Sequence, residues 1–267
     1  MPPVTDWQDV ADGVWVRRYD PFDVNVTVVA GSDGVLLVDT RTTLREASEL
    51  REHLRELPIG EVTHLAFTHA HLDHCLGAGA FPGVAIWGTT GCRTSLQRHG
   101  VDQRERWLDW LPEEEGPHLR ASPIIPPDHT VRDRARLALG GREVELLHLG
   151  RGHTDHDLVV HVPDVEVAVV GDLLEVGAPP QFHDAYPFQW PATLSGVTAL
   201  DVEVVVPGHG PVTDLGAVTE QEAQLAQLAS LCREVLGGVR TRESAIGASP
   251  FPRETTEVAL TRASETG

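Results

Sequence analysis

The sequence predicts an α/β protein in which two sheets pack face to face with helices outside. Three observations lead there. Short valine-rich runs bounded by turn residues recur in both halves of the chain, which is strand patterning. Helical spacing follows strands in each half, and the order strand, helix, strand over residues 35–67 fits a parallel crossover. Several apolar strands end in a glycine-flanked histidine or aspartate, as strands do where one sheet edge carries a site.

The elements follow in order. Residues 14–16, 24–30 and 35–39 read as an antiparallel meander, with Gly31-Ser32-Asp33-Gly34 as a turn. Leu44, Ala47, Leu50, Leu54 and Leu57 give a helix over 43–57, which Pro58 ends. Residues 62–67 read as a buried strand, and 84–87 as another. Residues 89–121 mix helical signals with Trp107, Trp110, Pro112 and the run Glu113-Glu114-Glu115, and are expected to be an insertion or lid. The acidic run itself reads as a solvated face. Two hairpins follow, 135–139 with 142–149 and 158–162 with 165–170. A helix over 191–200, a strand over 202–206 and a long helix over 215–236 complete a single domain of residues 1–240. The tail at 241–267 is rich in Ser, Thr and Glu, and the sequence leaves its order open.

Composition narrows the function. The chain has 267 residues, 41% of them hydrophobic, enough for a sizeable core. Its net charge of -19 argues against a nucleic-acid partner. All 21 basic residues are Arg, so Schiff-base chemistry and lysine-based phosphate loops are excluded. Cys75, Cys92 and Cys232 show no CxxC spacing and read as free thiols of a reducing compartment. The first residues lack the basic and apolar stretches of a signal peptide, and no apolar run approaches the roughly 20 residues of a membrane span. A soluble cytoplasmic protein with a small-molecule substrate is expected, its oligomeric state unread.

The run His69-Ala70-His71-Leu72-Asp73-His74 places four metal-ligating side chains directly after an apolar strand. Buried imidazoles and carboxylates are costly without a partner, and a divalent cation can pair with all of them. In extended chain His69 and His71 point the same way and can share one cation. Asp73 and His74 follow a turn and can face a second. Further ligands must come from elsewhere. His153 in Gly150-Arg151-Gly152-His153-Thr154, Asp172 in Gly171-Asp172 and His209 in Pro207-Gly208-His209-Gly210 each follow an apolar strand with glycine beside them.

In this order and spacing the chain resembles the metallo-β-lactamase-fold superfamily over residues of about 12–215. The resemblance implies an αββα sandwich with a two-metal site at one sheet edge. It implies that His69, His71 and His153 bind a first metal, that Asp73, His74 and His209 bind a second, and that Asp172 bridges them. Asp39, ending an early strand, matches a position that supports the ligands. Two zinc ions per chain are implied, and iron or manganese would also suit the donors. The two cations would share a hydroxide that attacks a small carbonyl substrate (ester, thioester, lactone or lactam), with Asp73 orienting it and passing on a proton.

Asp at 172 resembles the hydrolytic branch typified by glyoxalase II and lactonases, whereas the commonest β-lactamases carry Cys there behind a signal peptide. Glyoxalase II itself has basic glutathione-binding residues without a match here. Nuclease and flavodiiron branches need domains this chain lacks. Two other readings stay open on the same fold: a one-iron oxidoreductase of the persulfide dioxygenase type, and a biosynthetic or accessory metal-binding member.

The remaining candidates are weaker. Arg151 either binds an anionic substrate group or is a surface residue. Phe182, His183, Tyr186, Phe188 and Trp190 either wall the pocket as part of a lid over 177–191 or pack the final helix, and Tyr186 could donate to an oxyanion. His148 and His64 read as structural, His156 as lining the mouth, His161 as exposed and Cys75 as a buried core thiol.

Overall fold

The computed structural model describes residues 6–109, 111 and 113–267; Met1 to Thr5, Trp110 and Pro112, used in the sequence reading, lie outside it. Among the described residues, twelve strands and eight α-helices run in the order β1 (Gln8–Ala11), β2 (Val14–Tyr19), β3 (Val24–Ala30), β4 (Val35–Val38), α1 (Leu44–Leu54), β5 (His64–Ala66), α2 (Leu72–Cys75), β6 (Ala85–Thr89), α3 (Thr90–Trp107), α4 (Gly116–Ala121) and β7 (His129–Val131). There follow β8 (Arg134–Ala138), β9 (Glu143–Leu147), β10 (Val159–Val162), β11 (Val167–Glu175), α5 (Trp190–Thr198), β12 (Val204–His209), α6 (Leu215–Leu236), α7 (Arg242–Ala248) and α8 (Arg253–Thr266).

The first half forms a mixed sheet: β7, β6, β5 and β4 are parallel, and β3, β2 and β1 continue it antiparallel. The second half orders β12, β11, β10, β9 and β8, of which β12 and β11 are parallel. The two sheets join into one hydrogen-bonded ladder where His209 pairs with Val24.

Side-chain alternation builds the layers. Along β4, Val35 and Leu37 face α1, while Leu36 and Val38 face the other sheet. Along β10 and β11, Val160, Val162, Val167 and Val169 meet that inner layer, while Val159, Ala168 and Val170 pack against the helices of the second half. Runs apolar at every position are what strands covered on both faces require. This is the helix, sheet, sheet, helix sandwich that the sequence predicts.

Local signals set several boundaries. Thr43 caps α1 by accepting from the Glu46 backbone N–H, and the Glu46 side chain accepts in return from the Thr43 hydroxyl and the Thr42 N–H, a variant of the capping box. The helix ends at Leu54, one turn earlier than its apolar spacing predicts. The strand expected at 62–67 pairs only over His64–Ala66, because residues 67–74 leave the sheet to form the site.

Two expectations are corrected, and one question the sequence leaves open is answered. Residues 89–121 are the crossover from β6 to its parallel neighbour β7, and Cys92, Leu96 and Leu119 sit in the core; parallel pairing demands such a connection, so this segment is framework rather than an insertion. The segment 241–267 forms α7 and α8, whose Ala245, Ala259, Leu260 and Ala263 are buried against the second-half core. Its apolar stripe is made mostly of small residues, which hydrophobicity alone under-reads. His161 is buried, not exposed: it lies on a central strand, near Glu145 and the Asp201 carbonyl.

Candidate metal centre

Four strand ends build the site. Asp39 follows β4, His69 and His71 follow β5, Asp172 lies near the end of β11, and His209 is the last residue of β12. These strands run parallel to a neighbour, and the carboxyl ends of parallel strands are where loops open to form a crevice. Asp73 and His74 enter on the single turn of α2, and His153 on the loop between β9 and β10.

Folding brings all seven predicted ligands together in two groups. His69, His71, His153 and Asp172 each offer one donor atom within 4.8 Å of the others, and Asp73, His74 and His209 do the same. In the first group, His71 Nδ1 is 3.0 Å from His153 Nε2, and Asp172 Oδ2 lies 3.6 Å from both His69 Nε2 and His153 Nε2. In the second, His74 Nε2 is 3.2 Å from His209 Nε2, and Asp73 Oδ2 lies 3.4 Å from His209 Nε2. Asp172 Oδ1 turns to this second group, 3.2 Å from His74 Nε2 and 3.4 Å from His209 Nε2. One carboxylate thus faces both groups, one oxygen to each.

The backbone makes room for that carboxylate. A Cβ on Gly208 would stand 1.8 Å from Asp172 Oδ1, so only glycine fits there. On Gly171, at φ +54, a Cβ would come 2.7 Å from that of Thr68.

Hydrogen bonds on the far ring nitrogens fix the tautomers. His74 Nδ1 donates to Asp39 Oδ2 at 2.7 Å, and His209 Nδ1 donates to the Phe22 carbonyl at 2.7 Å. His71 Nε2 donates to Asp184 Oδ2 at 3.0 Å. Thr68 Oγ1 donates to Asp39 Oδ2 at 2.8 Å, which leaves it to accept from His69 Nδ1 at 3.1 Å. Each of these rings therefore turns its other nitrogen toward its group, the atom a ligand must offer once it carries no proton.

The electrostatics divide the histidines, two held neutral by burial and two held protonated by the carboxylates until a cation takes the proton's place. Burial pushes the His69 imidazole far down, and that of His153 down to about 3, so both are neutral at pH 7. Burial also opposes charge on His74 and His209, but Asp172 and Asp73 outweigh it; His209 rises to about 9. Asp172 is likewise buried, and His74, His209 and His69 outweigh burial to hold it ionised.

The residues fit a bound cation. His69 Nε2 and Asp172 Oδ1 are buried with no hydrogen-bond partner, although the surroundings are polar. For bonds of about 2.0–2.1 Å a tetrahedral cation sets its ligands about 3.3 Å apart, which is close to the separations found here.

The weaker candidates separate. Asp39 is buried behind both groups, touching His74 directly and His69 through Thr68. Arg151 is exposed, its guanidinium 4.8 Å from the Tyr186 ring centre, and Arg262 stands 5.4 Å from the same ring. His156 is buried and accepts the Ala70 N–H between His69 and His71. Cys75 is buried in the first-half core, and burial raises its thiol well above the usual range. Sequence reasoning missed Asp184 and Asn25. Asn25 Nδ2 donates to the Pro207 and Gly210 carbonyls on either side of His209. Neither carries a local signal: Asp184 lies 113 residues from His71, and Asn25 lies 182 from Pro207.

An α/β sandwich that gathers histidines and carboxylates at its strand ends is an architecture for metal-assisted chemistry. The profile of the metallo-beta-lactamase superfamily matches residues 19–209. The chain is 25% identical over 199 residues to metallo-beta-lactamase type 2 of Bacillus cereus, covering 72% of this chain and 69% of that protein. It is 24% identical to linear primary-alkylsulfatase of Pseudomonas sp. (strain ATCC 19151), covering 72% of this chain and 43% of that protein. A solved metallo-beta-lactamase from Pontibacter korlensis shares the fold at a TM-score of 0.67 and 20% identity, over 83% of this chain and 98% of that one. The chain belongs to the metallo-beta-lactamase superfamily and is a metal-dependent hydrolase of that family. Among the described residues no helix is long and apolar enough to cross a membrane.

Proposed function

We propose that the chain is a two-zinc hydrolase of small carbonyl compounds: an ester, thioester, lactone or lactam. The observation that carries this is Asp172, whose two oxygens face different donor groups. His69, His71 and His153 would hold one cation, Asp73, His74 and His209 the other, and Asp172 both. Nitrogen and oxygen donors without sulfur suit zinc, and also iron or manganese. When bound, such a pair polarises a carbonyl and lowers the pKa of water from about 15.7 to about 7.

The chain's own residues have the remaining tasks. Asp73 orients the attacking water and carries its proton to the leaving group. Asp39 keeps the rings of His74 and His69 in place. Arg151 is exposed in the His153 loop, where its charge helps to lower the Asp155 carboxyl and it can meet an anionic group of the substrate. Tyr186 would wall the same side and donate to the developing oxyanion. The carboxylate at 172 supports a place in the branch typified by glyoxalase II and lactonases. The second donor group supports two cations over the one-iron oxidoreductase reading.

Metal content and turnover test this together. The substrates are an ester, a thioester, a lactone, a β-lactam and an alkyl sulfate, the last two chosen because relatives bear those names. About two zinc ions per chain are expected, with turnover lost in His69→Ala and Asp172→Ala. Undiminished rates in both variants would sink the proposal, and one iron per chain would favour oxidation instead.

A further inference from the structure

We propose that Arg262, on the last helix, is a positioning residue for the first donor group, acting through Asp184 on His71. This rests on the two-cation reading and adds to it a part of the chain beyond residue 209, where the superfamily match ends.

The path is continuous. His71 turns Nδ1 toward His153 only while its Nε2–H is held, and the holder is Asp184 Oδ2 at 3.0 Å. Asp184 lies on the connection between β11 and α5, outside any helix or strand, and its side chain is 62% exposed. A carboxylate so placed orients a ring only if its backbone is fixed. Arg262 does the fixing. Its Nε donates to the Ala185 carbonyl at 2.9 Å and its Nη2 to the Asp184 carbonyl at 3.3 Å, so the planar fork grips two consecutive peptides. The guanidinium is itself steadied by Glu265 at 3.1 Å and lies 5.4 Å from the Tyr186 ring centre.

The helix that carries Arg262 is a firm base. Thr256, Ala259, Leu260 and Ala263 of α8 are buried. A second line of contact reaches the same group: Phe251 packs on Phe182, Phe182 on Trp190, and Trp190 stands edge-on to His153 at 5.7 Å. The C-terminal helices therefore brace the 182–190 segment from behind, and that segment touches two of the three first-group histidines.

The test is zinc titration against a chromogenic chelator, on the full chain, with zinc as the only ligand. Removing a partner of a ligating histidine costs 10–100-fold in metal affinity, so Asp184→Asn is expected to weaken one of two zinc ions by about that factor. Arg262→Ala is expected to weaken the same ion about tenfold and leave the other unchanged, and Arg262→Lys to recover part of the loss. In the double variant the effects should be less than additive, because the route from Arg262 to His71 runs through Asp184. Arg253→Ala, on the exposed face of the same helix, is the control and should bind as wild type.

Wild-type affinity in Arg262→Ala would overturn the inference, as would full additivity with Asp184→Asn, an equal loss at both ions, or a matching loss in Arg253→Ala. Should Arg262→Ala fail to fold, wild-type affinity in Asp184→Asn would still overturn it. A wild-type chain that binds no zinc would overturn the two-cation reading and this inference with it. A chain that binds two, indifferent to Arg262, would overturn the inference alone.

Discussion

The two donor groups are alike in chemistry and unlike in support. In the second group, His74 and His209 are each anchored at 2.7 Å, by a buried carboxylate and by a backbone carbonyl. Asn25, on β3, clamps the chain on both sides of His209. All of these anchors come from the first sheet and its hairpin. In the first group, His153 Nδ1 is buried without a partner, and His71 depends on an exposed carboxylate between β11 and α5. Strands hold ligands more firmly than loops do. The second group is therefore shaped by the fold itself, whereas in the first only His69 has such an anchor, through Thr68, and His71 depends on a segment that other elements must hold still.

The largest effect should come from the residue the groups share. Asp172→Ala is expected to cut zinc content below one ion per chain, with turnover falling more than about 100-fold, the upper end for losing a group that only supports a ligand. Retention of both ions by atomic absorption would break the comparison at its root. Next comes Asp39→Asn, which touches His74 directly and His69 through Thr68. It should weaken both ions, by about 10–100-fold, with the larger share at the second. Asn25→Asp sharpens the contrast further. It keeps the shape but points carboxylate oxygens at two carbonyls, so only the second ion should weaken, by about tenfold. Equal weakening of both ions on chelator titration would show that the two groups are not separately supported.

Much of this architecture was legible in the sequence, for physical reasons. Strands covered on both faces must be largely apolar, and β4 and the first four residues of β11 announce themselves that way. The ligands were legible because a cluster such as His69 to His74 has no economical structural use. What stayed hidden depends on long-range contact. Asp184 and Asn25 are ordinary polar residues until folding sets them against His71 and the His209 loop. Helices α7 and α8 pack mainly through alanines, a threonine and Leu260 in a polar stretch, so composition alone leaves their order open. The crossover at 89–121 was misjudged because α3 is strongly polar and buries little beyond Cys92, Leu96 and Gly100.

The smallest effect concerns Glu175, the register partner of His209 on β11. Burial, then the charge of Asp172, pushes its carboxyl up to about 8, against an ordinary value of 4.5. Between those two values the folded chain binds a proton that the unfolded chain has released. Stability contributed by this group therefore falls as pH rises through the window from about 4.5 to about 8, and is flat on either side. Glu175→Gln removes the titration, so the melting temperature of the zinc-free variant should decline less than that of wild type between pH 5 and pH 8, by a few degrees. Zinc should narrow the difference, because cations at Asp172 offset the charge that helps to raise the Glu175 value. Parallel melting profiles for variant and wild type without zinc would show that Glu175 does not sense the second group. A difference that shrinks on zinc loading would show that the strand carrying Asp172 transmits the state of the site three residues along β11.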